Sequence, residues 1–156
     1  MLNATELVKD LQEMRDHGFL SDALLRRAVK TIAGSDERFN WAGAFLLRDG
    51  GEDLWLHNYV GEPAQFGELS VGEGVRGAAV AQVANQNIPD VTVLEDYMPC
   101  GPDVRSDLVV LIRAGSDVFG EINVGSEEES VFTDEDEAAV QAVSDKLAEQ
   151  IMSERR

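Results

Sequence analysis

The chain has 156 residues, which fits one domain built around one core. Its 13 Lys and Arg against 30 Asp and Glu give a net charge of −17, so nucleic acid and anionic membrane surfaces are excluded as partners unless a basic patch exists; the densest basic pair, Arg26-Arg27, sits close to Asp22. The longest apolar runs, such as 108–112, are too short to span a bilayer, and Met1 to Glu6 carries no basic-then-apolar leader, so a cytoplasmic location is expected.

Asn3 with Glu6 three residues on can cap a first helix, along which Leu7, Leu11 and Met14 recur at helical spacing until Gly18. Ser21-Asp22 opens a second helix with Leu24, Leu25, Ala28, Val29 and Ile32 on one face, stopped by Gly34. Residues 41–47 read as a strand: Trp41, Gly43, Phe45 and Leu47 point one way, Ala42, Ala44 and Leu46 the other. Both sets are apolar or small, so both faces are expected to be covered. Asp49-Gly50-Gly51 turns the chain into a returning strand over 54–60.

A turn-rich crossing follows, with a short strand near Leu69-Ser70-Val71, then a helix of small residues predicted over 74–86. Ile88-Pro89-Asp90-Val91 reads as an edge piece, because proline cannot donate to a central ladder. The irregular stretch 92–103 holds Pro99, Gly101 and Pro102 and is placed as a pocket wall or lid. Strands are predicted over 106–113 and 118–124. A last helix is capped by Thr133 with Asp136 three residues on; acids load its start, Arg155-Arg156 follow its end, and Ala139, Val140, Val143, Leu147 and Ile151 form its stripe. The order gives an α+β layer, an antiparallel sheet of five to six strands with helices mainly on one face.

Cys100 is the single cysteine, which excludes an internal disulfide and a cysteine-rich metal site. His17 and His57 have no second ligand at metal-binding spacing and read as surface residues; no metal and no cofactor is expected. Three of the thirteen basic residues are lysines (Lys9, Lys30, Lys146), which fits either a surface adapted to high salt or an ordinary acidic protein.

Four stretches stand out: Gly72-Glu73-Gly74-Val75-Arg76-Gly77-Ala78-Ala79, Asn87-Ile88-Pro89-Asp90-Val91, Val104-Arg105-Ser106-Asp107-Leu108, and Gly120-Glu121-Ile122-Asn123-Val124 leading to Phe132-Thr133-Asp134-Glu135-Asp136. In this order they resemble the GAF domain, a PAS-related fold, from about 21 to 151. The resemblance divides the chain into an N-terminal helix over 1–19, a possible dimerisation element, and a GAF domain over 20–153. It implies a stand-alone sensor or regulatory domain that binds an unknown small molecule. Such a domain would act in signalling as a homodimer, built on the stripes of its terminal helices, or through a separate signalling protein. On that reading Trp41, Phe45, Arg76, Cys100, Arg105, Asp107, Glu121 and Asn123 are the candidate ligand-binding residues.

One branch of the family is enzymatic, the free methionine-(R)-sulfoxide reductases, and Asn40-Trp41-Ala42-Gly43 resembles its "N-W-A-G" strand. Cys100 stands seven residues before Asp107, the spacing of that branch's catalytic cysteine and acid. On this alternative Cys100 attacks the sulfoxide sulfur and Asp107 helps to protonate the oxygen. Three departures count against it. The branch's further cysteines correspond to Gln65 and Arg76, and its "D-x-D" pair reads as Asn123 and Gly125, so enzyme activity is the alternative and not the leading expectation. A third reading is a ligand-free protein-interaction module.

Overall fold

The computed structural model describes residues 1–64 and 66–155. It contains helices α1 (Ala4–Asp16), α2 (Ser21–Ala33), α3 (Gly74–Gln82) and α4 (Asp134–Glu154). Strands β1 (Trp41–Leu47), β2 (Asp53–Val60), β3 (Glu68–Ser70), β4 (Gln86–Ile88), β5 (Ser106–Ala114) and β6 (Asp117–Ser126) form one sheet in the order β3-β2-β1-β6-β5-β4. The pairings are antiparallel. This is the GAF fold. Among the described residues no helix is long and apolar enough to cross a membrane.

Side chains alternate across a strand, and each face of this sheet has its own core. Ala42, Ala44, Leu108, Val110, Ile122 and Val124 face α1, α2 and α4, where they meet Leu7, Leu11, Leu25, Val29, Val143 and Leu147. Trp41, Phe45, Val109 and Leu111 face the other way, against Val75, Ala79 and Val80 of α3 and against Cys100 and Val104. The stripes of α1 and α4 therefore meet inside one core of the same chain. Burying Leu7 and Leu11 alone is worth about 1.5–3 kcal/mol each.

The helix ends follow local chemistry. The Asn3 side chain accepts from the Glu6 amide at 3.0 Å, and Gly18 (φ +91) lets the chain turn from α1 into α2. Thr133 and Asp136 form a reciprocal capping box at the start of α4. At the other end Arg155 lays its guanidinium over the Phe119 ring, 4.7 Å from the centroid. Arg156, predicted to follow the helix end, lies outside the described residues.

Two expectations are corrected. The helix predicted over 74–86 ends at Gln82, because Val83 takes a left-handed conformation (φ 51) and Asn85 is drawn away. The Asn85 side chain accepts from the Leu111 amide at 2.9 Å and donates to Gln141 at 2.7 Å. Residues Gln86–Ile88 then pair with β5 at the sheet edge, and Pro89 follows directly. His57 is not a surface residue: its side chain is 5% exposed and bonds Asp22 at 2.6 Å, tying β2 to α2.

Candidate functional site

Four buried polar residues, Arg76, Asp107, Glu121 and Asn123, gather on the α3 side of the sheet, and strand register explains how. Three rows cross β1, β6 and β5: Trp41, Gly125 and Asp107; Gly43, Asn123 and Val109; Phe45, Glu121 and Leu111. Because side chains repeat every two residues, Glu121, Asn123 and Asp107 all point to this face while Ile122, Val124 and Leu108 fill the opposite core. Asp107, Glu121 and Asn123 are fully buried. α3 and the 94–104 segment form a roof over them.

Arg76 reaches down from α3 and is 1% exposed. Its Nη2 donates to the Met98 carbonyl, and its guanidinium lies over the Phe45 ring, 5.1 Å from the centroid. Its Nη1 is buried with no hydrogen-bond partner among the described residues. Asp107 accepts from the Tyr97 hydroxyl at 3.0 Å through Oδ2 and from Asn123 Nδ2 through Oδ1; the same Nδ2 also donates to the Leu108 carbonyl at 3.1 Å. The Asn123 Oδ1 and both Glu121 carboxyl oxygens are buried without a hydrogen-bond partner among the described residues.

The roof is fitted closely. The Trp41 indole covers Gly43, where an added Cβ would lie 2.4 Å from the ring, and it also adjoins Gly101, where an added Cβ would lie 3.1 Å from it. The indole Nε1 donates to the Glu62 carbonyl at 3.0 Å, and the ring stacks on Tyr59 at 5.8 Å. Cys100 is fully buried, with its Sγ 2.9 Å from where a Cβ on Gly125 would sit.

Burial dominates the acid–base state of this cluster. It pushes the Asp107 carboxyl up to about 6, against the opposing pull of Arg76 and the bonds from Asn123 and Tyr97. Burial also holds Glu121 well above the usual carboxylate range; Arg76 opposes this and Asp107 adds to it. The Cys100 thiol and the Tyr97 phenol are likewise raised, first by burial and then by the nearby Asp107 charge. Burial thus favours the neutral form of Glu121, and Cys100 is a protonated thiol.

The structure brings seven of the eight candidate residues to this buried cluster: Trp41, Phe45, Arg76, Cys100, Asp107, Glu121 and Asn123. Arg105 is not among them. Its backbone amide bonds Ser126, and its side chain, 40% exposed, pairs with Glu129 and Asp90. Arg76 does not pair with Asp107: among the described residues it forms no ion pair. Gln65, aligned with one of the reductase branch's further cysteines, lies outside the described residues. Tyr97 is the functional side chain that the sequence did not single out; its one signal was its place in the segment expected to wall the pocket. A surface cleft of about 650 Å³ lies near Leu47, Val83, Phe119, Met152 and Arg155 and takes in none of the cluster's polar side chains.

No protein-family model matches the chain. It is 32% identical over 152 residues to the free methionine-R-sulfoxide reductase of Escherichia coli (strain K12), covering 94% of this chain and 89% of that protein. Among solved structures it resembles the type II free methionine-R-sulfoxide reductase from Thermoplasma acidophilum, with a TM-score of 0.78 and 27% identity over 85% of this chain and 93% of that one. The GAF domain of an Acinetobacter phosphoenolpyruvate-protein phosphotransferase shares the fold at a TM-score of 0.83 and 18% identity, covering 99% of this chain and 96% of that one.

Proposed function

The chain belongs to the free methionine-R-sulfoxide reductase family of GAF-fold proteins, and within it we propose that this member is a small-molecule-binding regulatory domain whose ligand sits between the sheet and the α3 roof. One observation carries the reading: Arg76 Nη1, both Glu121 oxygens and Asn123 Oδ1 lie buried on the same side of the sheet without partners among the described residues. Leaving a buried polar group unpaired costs about 1–3 kcal/mol, so four such atoms together make sense where a ligand completes them. The aromatic walls, Trp41 and Phe45, suit the same purpose, since small-molecule sites combine apolar surface with a few converging polar groups.

Binding without turnover is favoured by the thiol. Cys100 is covered, held protonated and without a second cysteine in the chain to resolve an oxidised form. Thermal-shift measurement with small acids, amino acids and nucleotides tests the reading. A ligand present at 100 times its dissociation constant adds about 2.7 kcal/mol and a clear rise in midpoint. If no compound moves the midpoint, the binding reading fails.

A second reading, a slow free methionine-(R)-sulfoxide reductase, is favoured by the placement of Cys100 beside Asp107 and by the burial of Glu121, which favours its neutral form. Cys100 sulfur would take the oxygen from the sulfoxide, leaving methionine and a sulfenic acid, with a neutral carboxyl donating to the oxygen in transit. Two equivalents of external thiol would then restore Cys100 and release water and a disulfide. Methionine formed from free methionine-(R)-sulfoxide and dithiothreitol by the unmodified chain, and not by Cys100→Ser, would establish this reading over the first.

A further inference from the structure

We propose that residues 95–104 of the roof form a latched lid, with Tyr97 and Met98 as the latch: each fills, from the chain itself, a place on Asp107 or Arg76 that a ligand would take. The inference rests on the binding reading above and states how that site is closed and opened.

The lid is pinned at its ends and free along its span. The Val91 amide donates to the Arg105 carbonyl at 2.8 Å, and the Arg105 amide donates to the Ser126 carbonyl at 2.7 Å, so the chain leaves and rejoins the sheet side by side. Between these bonds, among the described residues, no backbone hydrogen bond ties 95–104 to a strand or a helix. A loop whose ends meet and whose span is held through side chains can move as one unit while the sheet stays whole.

Two polar contacts and a few packing contacts hold it down. The Tyr97 hydroxyl donates to Asp107 Oδ2 at 3.0 Å, and the Met98 carbonyl accepts from Arg76 Nη2. Cys100 and Val104 lie against Gly125, and Gly101 adjoins the Trp41 indole. The Met98 side chain lies over Gly74, where an added Cβ would be 3.4 Å from it.

The polar contacts fall on the cluster's acid and its cation. Arg76 and Asp107 form no ion pair with each other. Each is engaged instead by one of two consecutive lid residues: a hydroxyl on the carboxyl, a carbonyl on the guanidinium. A small polar ligand would use the same two kinds of group, a donor toward Asp107 and an acceptor toward Arg76. The lid serves the cluster only in part, since Arg76 Nη1, Asn123 Oδ1 and both Glu121 oxygens keep no partner among the described residues. A ligand that replaces both latch contacts and reaches these atoms as well is therefore able to displace residues 97 and 98. Arg76, Asp107, Glu121 and Asn123 are closed off from solvent, so entry requires the cover to move. Tyr97 is half-buried and runs from the surface to the buried acid.

The test labels Cys100, the single cysteine and a lid residue, with a limiting thiol reagent at rising urea. Opening of the lid alone exposes little surface. The labelling rate should therefore be nearly flat below the unfolding transition and then rise with the slope of global unfolding. Tyr97→Phe keeps the ring and removes the bond to Asp107, so the flat rate should rise roughly tenfold or more. Thr133→Ala weakens α4, which packs on the other face of the sheet; it should lower the urea midpoint and leave the flat rate unchanged. Labelling that follows the global slope at every urea concentration overturns the inference, because the cluster then opens only with the whole domain. So does a flat rate that Tyr97→Phe leaves unchanged, or one that Thr133→Ala raises equally. If Tyr97→Phe does not fold, the urea dependence of the unmodified chain decides alone. A silent compound screen beside a lid that opens locally removes the binding reading and leaves the lid; hits in that screen beside purely global labelling do the reverse.

Discussion

Replacing Asp107 with Asn tests whether the cluster's acids are held against the interest of the fold. The Asp107 carboxyl is fully buried and stands at about 6, against 3.8 in the unfolded chain. The native state therefore grips this proton more tightly than the unfolded state does. Below about 4 both states are protonated and the group leaves stability unchanged. As pH rises, the unfolded chain ionises first, so stability falls until the native carboxyl ionises near 6, and then levels off at the lower value. At about 1.36 kcal/mol per pKa unit, the interval from 3.8 to about 6 amounts to ~3 kcal/mol at neutral pH. That is a large part of the roughly 5–15 kcal/mol that holds an ordinary domain together. Asp107→Asn keeps the shape and stays neutral at every pH; its carbonyl can accept from Asn123 and its amide can donate to the Tyr97 oxygen. Urea unfolding of both proteins supplies the difference, in which the other carboxyls, Glu121 included, largely cancel. The two should be similar at about pH 4, with the variant more stable by ~2–3 kcal/mol above about pH 7. A variant that gains nothing between those pH values would show that Asp107 does not carry this penalty.

Further substitutions probe the frame around the cluster. Gly120→Ala would put a Cβ 2.1 Å from the Phe45 carbonyl oxygen and 3.0 Å from the Leu46 Cα, both backbone, so β1 and β6 must part. A loss of ~3 kcal/mol or more is expected, read as a fall in the urea midpoint or failure to fold. Thr133→Ala removes the side-chain half of the α4 capping box and should cost about 1 kcal/mol by the same measurement. Cys100 should react with a thiol reagent only as fast as the roof opens, with full reaction in urea; rapid labelling of the native protein would refute a closed roof.

What the sequence made legible was what short-range patterns encode. The parity of 41–47 put Trp41 and Phe45 on one face and Ala42 and Ala44 on the other, as found, because a period of two admits no other arrangement. The Thr133 cap was readable because its partner lies three residues away. Arg105 and Asp107 share a parity and were grouped together. Arg105 instead precedes the strand, and its side chain is drawn out by Glu129 and Asp90, acids that no local pattern brings near. The end of α3 failed for the same kind of reason, since Asn85 answers to β5 and α4. Arg76 was legible as a candidate but not as a buried one, because a charged residue near a helix start is ordinarily solvated.

The two faces of the sheet form a controlled comparison within one molecule. In their central parts β5 and β6 present Leu108, Val110, Ile122 and Val124 to the terminal helices, and the two buried serines of that parity, Ser106 and Ser126, lie at the strand ends and bond to neighbouring loops. The neighbouring positions 107, 121 and 123, equally buried on the other face, carry two acids and an amide. Strand propensity, register and burial are the same for both sets, so packing alone would favour apolar residues on both. The acids are opposed by the free energy of ionisation, and Arg76 by the cost of an unpaired buried donor. Residues that break a local rule with no gain to the fold mark where a chain is shaped by something other than stability. Here the breaks gather from α3, β5 and β6 on one side of the sheet, and that gathering, more than any one residue, argues that the cluster is built to be completed from outside.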